Sequence, residues 1–205
     1  REVPSPMVGR AVTTPPRPER LRDAREVLLS VGVLSTKSLL KDVTFELHQG
    51  EILGFAGLMG AGRTEVARAL VGADAISSGT IALRGEPIKV SAPADAAALR
   101  IGYLSEDRKH LGLLLDQQVA SNIALSSLSE RFSRGGFVND KAIRTEAKAY
   151  VQSLSIKTPS VRQEVKNLSG GNQQKVVIAK WLVKDCDVLI FDEPTRGIDV
   201  GAKEE

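Results

Sequence analysis

The chain has 205 residues, 42% of them hydrophobic and only 4% aromatic, with a formal net charge of +3. That length holds one good-sized core, or one domain with pieces attached. So few aromatic residues argue against a base-stacking surface, and so small a charge gives no sign of a nucleic-acid partner.

Residues 1–20 carry Pro4, Pro6, Pro15, Pro16 and Pro18, the composition of a linker or domain tail. Arg1-Glu2-Val3-Pro4 has no apolar signal core, and no apolar run nears the length that spans a bilayer. With no initiator methionine and an end at Lys203-Glu204-Glu205, the sequence reads as a segment cut from something longer at both ends. From Glu26 the pattern turns to strands: Val27 to Leu34 and Val43 to Leu47 alternate, and His48-Gln49-Gly50 is a turn. Ile52 to Ala56 is predicted as a short apolar strand running straight into a glycine loop. Arg63 to Leu70 has helical spacing and ends near Gly72. Thr80 to Leu83 and Ile88 to Val90 read as a hairpin, Ala94 to Leu99 as a short helix, and Ile101 to Leu104 as a strand.

From Val119 the periodicity becomes helical, over Val119 to Leu128 and Asp140 to Leu154, with the polar turn Ser133-Arg134-Gly135-Gly136 between. Ser169 is a good N-cap for a helix running to about Lys184. Val188 to Phe191 is an apolar strand that delivers Asp192 and Glu193 to a sheet edge.

Two loop-to-helix junctions are candidate anion sites. Gly57-Leu58-Met59-Gly60-Ala61-Gly62-Arg63-Thr64 follows a predicted strand and opens a helix, the context of a phosphate-binding loop. Gly57, Gly60 and Gly62, with the small Ala61, let successive backbone N–H groups turn inward around phosphate oxygens, and Thr64 offers a hydroxyl to Mg²⁺. The lysine position holds Arg63, whose planar guanidinium is not equivalent to a slim ammonium. The second junction is Asn167-Leu168-Ser169-Gly170-Gly171-Asn172-Gln173-Gln174-Lys175, a loop whose helix has free N–H groups at its start.

Asp192 is expected to hold Mg²⁺, through water, and Glu193 to polarise an attacking water. An acidic strand end beside a helix cap is the competing reading of that pair. Asp199, in Arg196-Gly197-Ile198-Asp199, reads as a simple turn residue, unless the family resemblance drawn below makes it a contact between facing domains. The lone Cys186 excludes an internal disulfide, fits a reducing compartment and reads as a small core residue. His48 and His110 lack companions at ligand spacing, Arg108-Lys109-His110 reads as a solvated basic turn, and Trp181 sits at core spacing.

Taken together, these motifs make the chain resemble the tandem-domain ATPases of bacterial monosaccharide importers (ribose, xylose, arabinose, galactose and relatives). It looks most like the second of their two nucleotide-binding domains. The marks are Gly57 to Thr64 with arginine for lysine, Ser105-Glu106-Asp107-Arg108-Lys109, Lys157-Thr158-Pro159-Ser160, Leu168 to Lys175, and Asp192 to Ala202. Met7-Val8-Gly9-Arg10 resembles the tail of the first domain.

The resemblance implies an α/β fold, a P-loop NTPase of ABC type. Its RecA-like core would carry an antiparallel β subdomain and an inserted helical subdomain. Residues 1–20 would be the tail of a preceding domain and a linker. Residues 21–107 and 165–205 would form the nucleotide-binding core, its C-terminal end missing, and 108–164 the helical subdomain. The implied function is the ATP-binding subunit of a sugar importer, with ATP and Mg²⁺ as cofactors. The alternative is a non-transport ABC-type regulatory or binding module. Implied partners are a preceding nucleotide-binding domain of the same polypeptide, an integral-membrane sugar permease and, indirectly, a periplasmic or extracellular sugar-binding protein. No nucleic acid is expected, and the location would be the cytoplasmic face of the bacterial plasma membrane.

By the same resemblance, each nucleotide lies between one domain's P-loop and the other's signature helix. Ser169, Gly170 and Gly171 would then meet a γ-phosphate held by the partner. Three departures bear on nucleotide binding: Asn172 where most ABC proteins have glutamine, Glu106 where a glutamine usually senses Mg²⁺, and no aromatic between Val33 and Leu40 to stack on adenine. The chain alone is expected to be inactive.

Overall fold

The computed structural model of the protein describes residues 26–195. Met7–Arg10 and Asp199 therefore lie outside the described residues.

Alternation of apolar and polar residues produces the first layer. β1 (Val27–Thr36) buries Leu28, Leu29, Val31 and Leu34. It pairs antiparallel with β2 (Val43–His48) on one side and β3 (Ile76–Leu83) on the other. β3 turns into β4 (Glu86–Ile88), which completes a four-stranded sheet in the order β2-β1-β3-β4. The turn is tight because Arg84 and Gly85 both adopt positive φ, 52° and 81°, matching the twist of the flanking strands.

Against this sheet pack α1 (Arg63–Leu70) and α2 (Pro93–Ala98). Asp95 caps α2 by accepting from the backbone N–H of Ser91 and Ala92 at 2.9 and 3.0 Å. β5 (Ile101–Leu104) runs parallel to β8 (Val188–Phe191) in the register Ile101↔Val188 through Leu104↔Phe191. The two faces of β5 serve different cores. Ile101 belongs to the cluster under the antiparallel sheet, and Leu104 to a helical cluster.

That second cluster is built by α3 (Val119–Ala124), α4 (Leu128–Arg131), α5 (Asp140–Ser153) and α6 (Gly170–Lys184). Val119, Ile123, Ile143, Ala147, Val165, Val176 and Val183 meet in it. Buried Asn122 clamps the entry loop: its Oδ1 accepts from Leu114 N–H at 2.8 Å and its amide donates to Leu114 and Gln118 carbonyls.

Four sequence expectations change. Ile52 to Ala56 forms no strand: Ile52 is 99% exposed, and the segment has no ladder partner among the described residues. An apolar run becomes a buried strand only with neighbours on either side, and among the described residues β5 and β8 pair only with each other. The predicted helix Val119 to Leu128 breaks into α3, a 3₁₀ turn at Leu125–Ser127 and the start of α4. The Ser133 to Gly136 turn carries a small hairpin, β6 (Ser133–Arg134) with β7 (Phe137–Val138). The second strand of the earlier hairpin stops at Ile88, short of Val90.

Lys180 is buried on α6, donates to the Gly112 carbonyl at 2.8 Å and lies 5.0 Å from the Trp181 ring centroid. Burial pulls its pKa from 10.5 down to about 8. An unfolded chain therefore holds a proton that the folded one releases between those values. The burial penalty is present in full below about 8 and fades as pH rises toward 10.5. Thermal melts should show the wild type gaining on Lys180→Met between neutral pH and about pH 10. An identical difference at both pH values would contradict a depressed Lys180.

Candidate functional site

The phosphate loop enters α1 through left-handed glycines, with φ of 81° at Gly60 and 89° at Gly62. Gly62 is the N-cap of α1 and has no side chain to cap it. The N–H groups of the first turn are thus left for a ligand or water. A Cβ at Gly57 would meet Ala61 Cβ at 2.9 Å, so the loop closes tightly on itself there. Leu58 and Met59 at its tip are exposed.

The parallel pair β5–β8 carries acids to this loop. The Asp192 N–H extends the ladder by donating to the Leu104 carbonyl at 2.9 Å, and Asp192 is buried. Its two carboxylate oxygens have different partners. Thr64 Oγ1 donates to Oδ1 at 3.2 Å, and the Tyr103 hydroxyl donates to Oδ2 at 3.0 Å. Burial, more than any partner, pushes the Tyr103 phenol up to about 12, so it remains a donor at ordinary pH.

Arg63 Nη1 lies 2.9 Å from Glu193 Oε1. Glu193 adopts a φ of 45°, rare for a side chain of this size. The arginine that replaces lysine and the adjacent acid therefore neutralise each other in this arrangement.

The second junction stands on the helical cluster. Ser169 Oγ accepts from the Asn172 N–H at 3.5 Å and from the Asn172 side-chain amide at 2.9 Å. Asn172 Oδ1 in turn accepts from the Lys157 N–H at 2.8 Å. One departure from the usual pattern thus ties the Lys157–Ser160 stretch to the start of α6. Gly170 and Gly171 follow the cap in the first turn.

Glu106 follows β5 in a turn where Asp107 N–H donates to Ser105 Oγ at 3.2 Å. In the basic turn, His110 pairs with Asp107 at 2.8 Å and is mostly exposed. Burial raises the Cys186 thiol to about 11, which makes it a poor nucleophile. A Cβ on Gly102 would strike Leu189, Trp181 and Cys186, the contacts of a packed interior.

The structure thus brings Arg63 and Thr64 to Asp192 and Glu193, and sets Ser169 to Asn172 on a different core. Sequence reasoning missed Tyr103 as a partner of Asp192. The signal was there in the alternation of β5, which puts Ile101 and Tyr103 on one face, but nothing in the sequence aimed the hydroxyl. Thr64 and Asp192 present the hard oxygens Mg²⁺ takes, and the glycine loop with the open start of α1 suits a polyphosphate. The residues present therefore fit Mg²⁺–ATP.

A family model described as ABC transporter matches residues 40–196. A Burkholderia lata protein carries the provisional name ribose/galactose/methyl galactoside import ATP-binding protein 1; it is 56% identical over 199 residues, covering 97% of this chain and 39% of the relative. A similarly named protein of Albidiferax ferrireducens is 56% identical over 205 residues, 100% of this chain and 41% of its own. The chain thus spans about two-fifths of the length of these curated relatives. Among solved structures, a nucleotide-free ATP-binding cassette from an ABC transporter superposes with a TM-score of 0.70 at 16% identity, over 86% of this chain and 73% of that one. CbiO1 from Clostridium perfringens, part of the ABC transporter complex cbiONQ, does so with a TM-score of 0.68 at 23% identity, over 87% and 70%. At these identities the structures speak for the fold alone.

Proposed function

The chain belongs to the ABC transporter family, and on that premise we propose that it is an ATP-binding unit of a bacterial monosaccharide importer, coupling ATP binding and hydrolysis to sugar uptake. The observation that carries the reading is the meeting of Thr64 and Arg63, at the open start of α1, with Asp192 and Glu193 at the end of β8. The names of the relatives support a pentose or hexose cargo.

Gly57, Gly60, Ala61 and Gly62 would wrap their N–H groups around the phosphates, and Arg63 would neutralise phosphate charge. Thr64 and Asp192 would hold Mg²⁺, which when bound supplies charge neutralisation at the β- and γ-phosphates. Glu193 would orient and polarise the attacking water once it leaves Arg63. Ser169, Gly170, Gly171 and Asn172 would present the start of α6 to a nucleotide held by a second nucleotide-binding domain, preceding this one in the same polypeptide. Asp199 would contact that facing domain, and Glu106 would stand where a glutamine usually senses both Mg²⁺ and the membrane partner. We assign 1–20 to the tail of a preceding domain and a linker, 21–107 and 165–205 to the nucleotide-binding core and 108–164 to the helical subdomain.

No helix among the described residues is long and apolar enough to cross a membrane. Association with a sugar permease at the cytoplasmic membrane face, and through it with a sugar-binding protein, is part of the same proposal. The test is radiolabelled uptake of ribose, galactose and methyl galactoside in cells with no other importer for them. Gly171→Asp, which blocks the start of α6, should abolish uptake of at least one of the three. Normal uptake of all three would overturn the reading.

A further inference from the structure

We infer that Tyr103 is a positioning residue for the cation site: its phenol holds one oxygen of Asp192 so that the other faces Thr64 and the divalent ion. The inference rests on the reading of Asp192 and Thr64 as the residues that hold Mg²⁺.

The backbone of Asp192 is already pinned. β5 and β8 pair in parallel with Tyr103 opposite Ile190 and Leu104 opposite Phe191. The next rung is the Asp192 N–H on the Leu104 carbonyl, at 2.9 Å. What remains free is rotation of the carboxylate, and its two oxygens would otherwise be equivalent. They are made different by two hydroxyls from two elements. Thr64, at the start of α1, reaches Oδ1 at 3.2 Å, and Tyr103, on β5, reaches Oδ2 at 3.0 Å.

Thr64 and the Oδ1 side of Asp192 would hold a shared ion, the Thr64 hydroxyl offering it a lone pair. The bond from Tyr103 need not break when that happens. Its ring packs against the cluster under the antiparallel sheet, which fixes where the hydroxyl can point. Tyr103 and Thr64 therefore hold the carboxylate from two sides. Partners that orient the groups holding a metal typically change its affinity by about 10–100-fold when removed.

The test uses the full chain of 205 residues, wild type and Tyr103→Phe, titrated with a fluorescent ATP analogue in excess Mg²⁺ and again in EDTA. Phenylalanine keeps the ring in the cluster and removes only the hydroxyl. In EDTA the two proteins should bind the analogue equally. In Mg²⁺ the wild type should tighten, and the variant should fall short of it by on the order of tenfold. Equal tightening by Mg²⁺ in both would overturn the role of Tyr103. So would a loss of the same size in EDTA, which would mark a packing role. A wild type that binds identically with and without Mg²⁺ would overturn the cation site itself, a result distinct from either.

Discussion

Replacing Gly171 with aspartate is expected to cut sugar-stimulated ATP turnover in the assembled transporter on the order of a hundredfold. Gly171 stands in the first turn of α6, two residues past the Ser169 cap. Under the proposed function this is where the helix start meets a γ-phosphate held by the facing domain. A carboxylate there brings negative charge to the point where N–H groups should stabilise it. The same carboxylate is favourable to α6 itself, because acids at a helix start complement its dipole. Thermal stability should therefore hold or rise slightly while turnover is lost. That split separates a blocked anion site from a damaged fold. Normal sugar transport by Gly171→Asp would remove α6 from the mechanism.

Arg63→Ala is expected to act on binding instead. The Arg63 and Glu193 side chains are 34% and 42% exposed, so their ion pair is worth at most about 1 kcal/mol. Several phosphate charges compete with it easily, and a charged hydrogen bond to phosphate is worth about 1.5–3 kcal/mol. Loss of Arg63 should weaken nucleotide affinity at its own site by roughly tenfold. The pair also suggests why an acid accompanies a phosphate loop without its lysine: without nucleotide, Glu193 is the counter-ion of Arg63.

Much of this arrangement is legible in the residues. Ser169 announces the start of α6 because only a few side chains can cap a helix, and the structure places its oxygen on Asn172 N–H. The alternation of β1 and the apolar run of β8 are local signals that tertiary packing respects. Ile52 to Ala56 carries the same apolar signal, yet a parallel strand exists only through its neighbours, and sequence patterning cannot supply them. The links from Tyr103 to Asp192 and from Asn172 to Lys157 were hidden for a different reason. Each joins residues far apart in the chain, and each depends on where a hydroxyl or amide ends up once two elements have packed. The same holds for the Arg63–Glu193 pair: the arginine stood out as unusual, but its partner became visible only with the fold.

Under the proposed function one chain would serve two nucleotide sites unequally, with Arg63 binding nucleotide at its own and the start of α6 supporting turnover at the other. The direct test is nucleotide occupancy and ATP turnover measured side by side in the assembled transporter carrying Arg63→Ala or Gly171→Asp. The account predicts a crossed outcome, with occupancy reduced and turnover largely kept for Arg63→Ala, and occupancy kept and turnover lost for Gly171→Asp. Equal loss of turnover in both would contradict it.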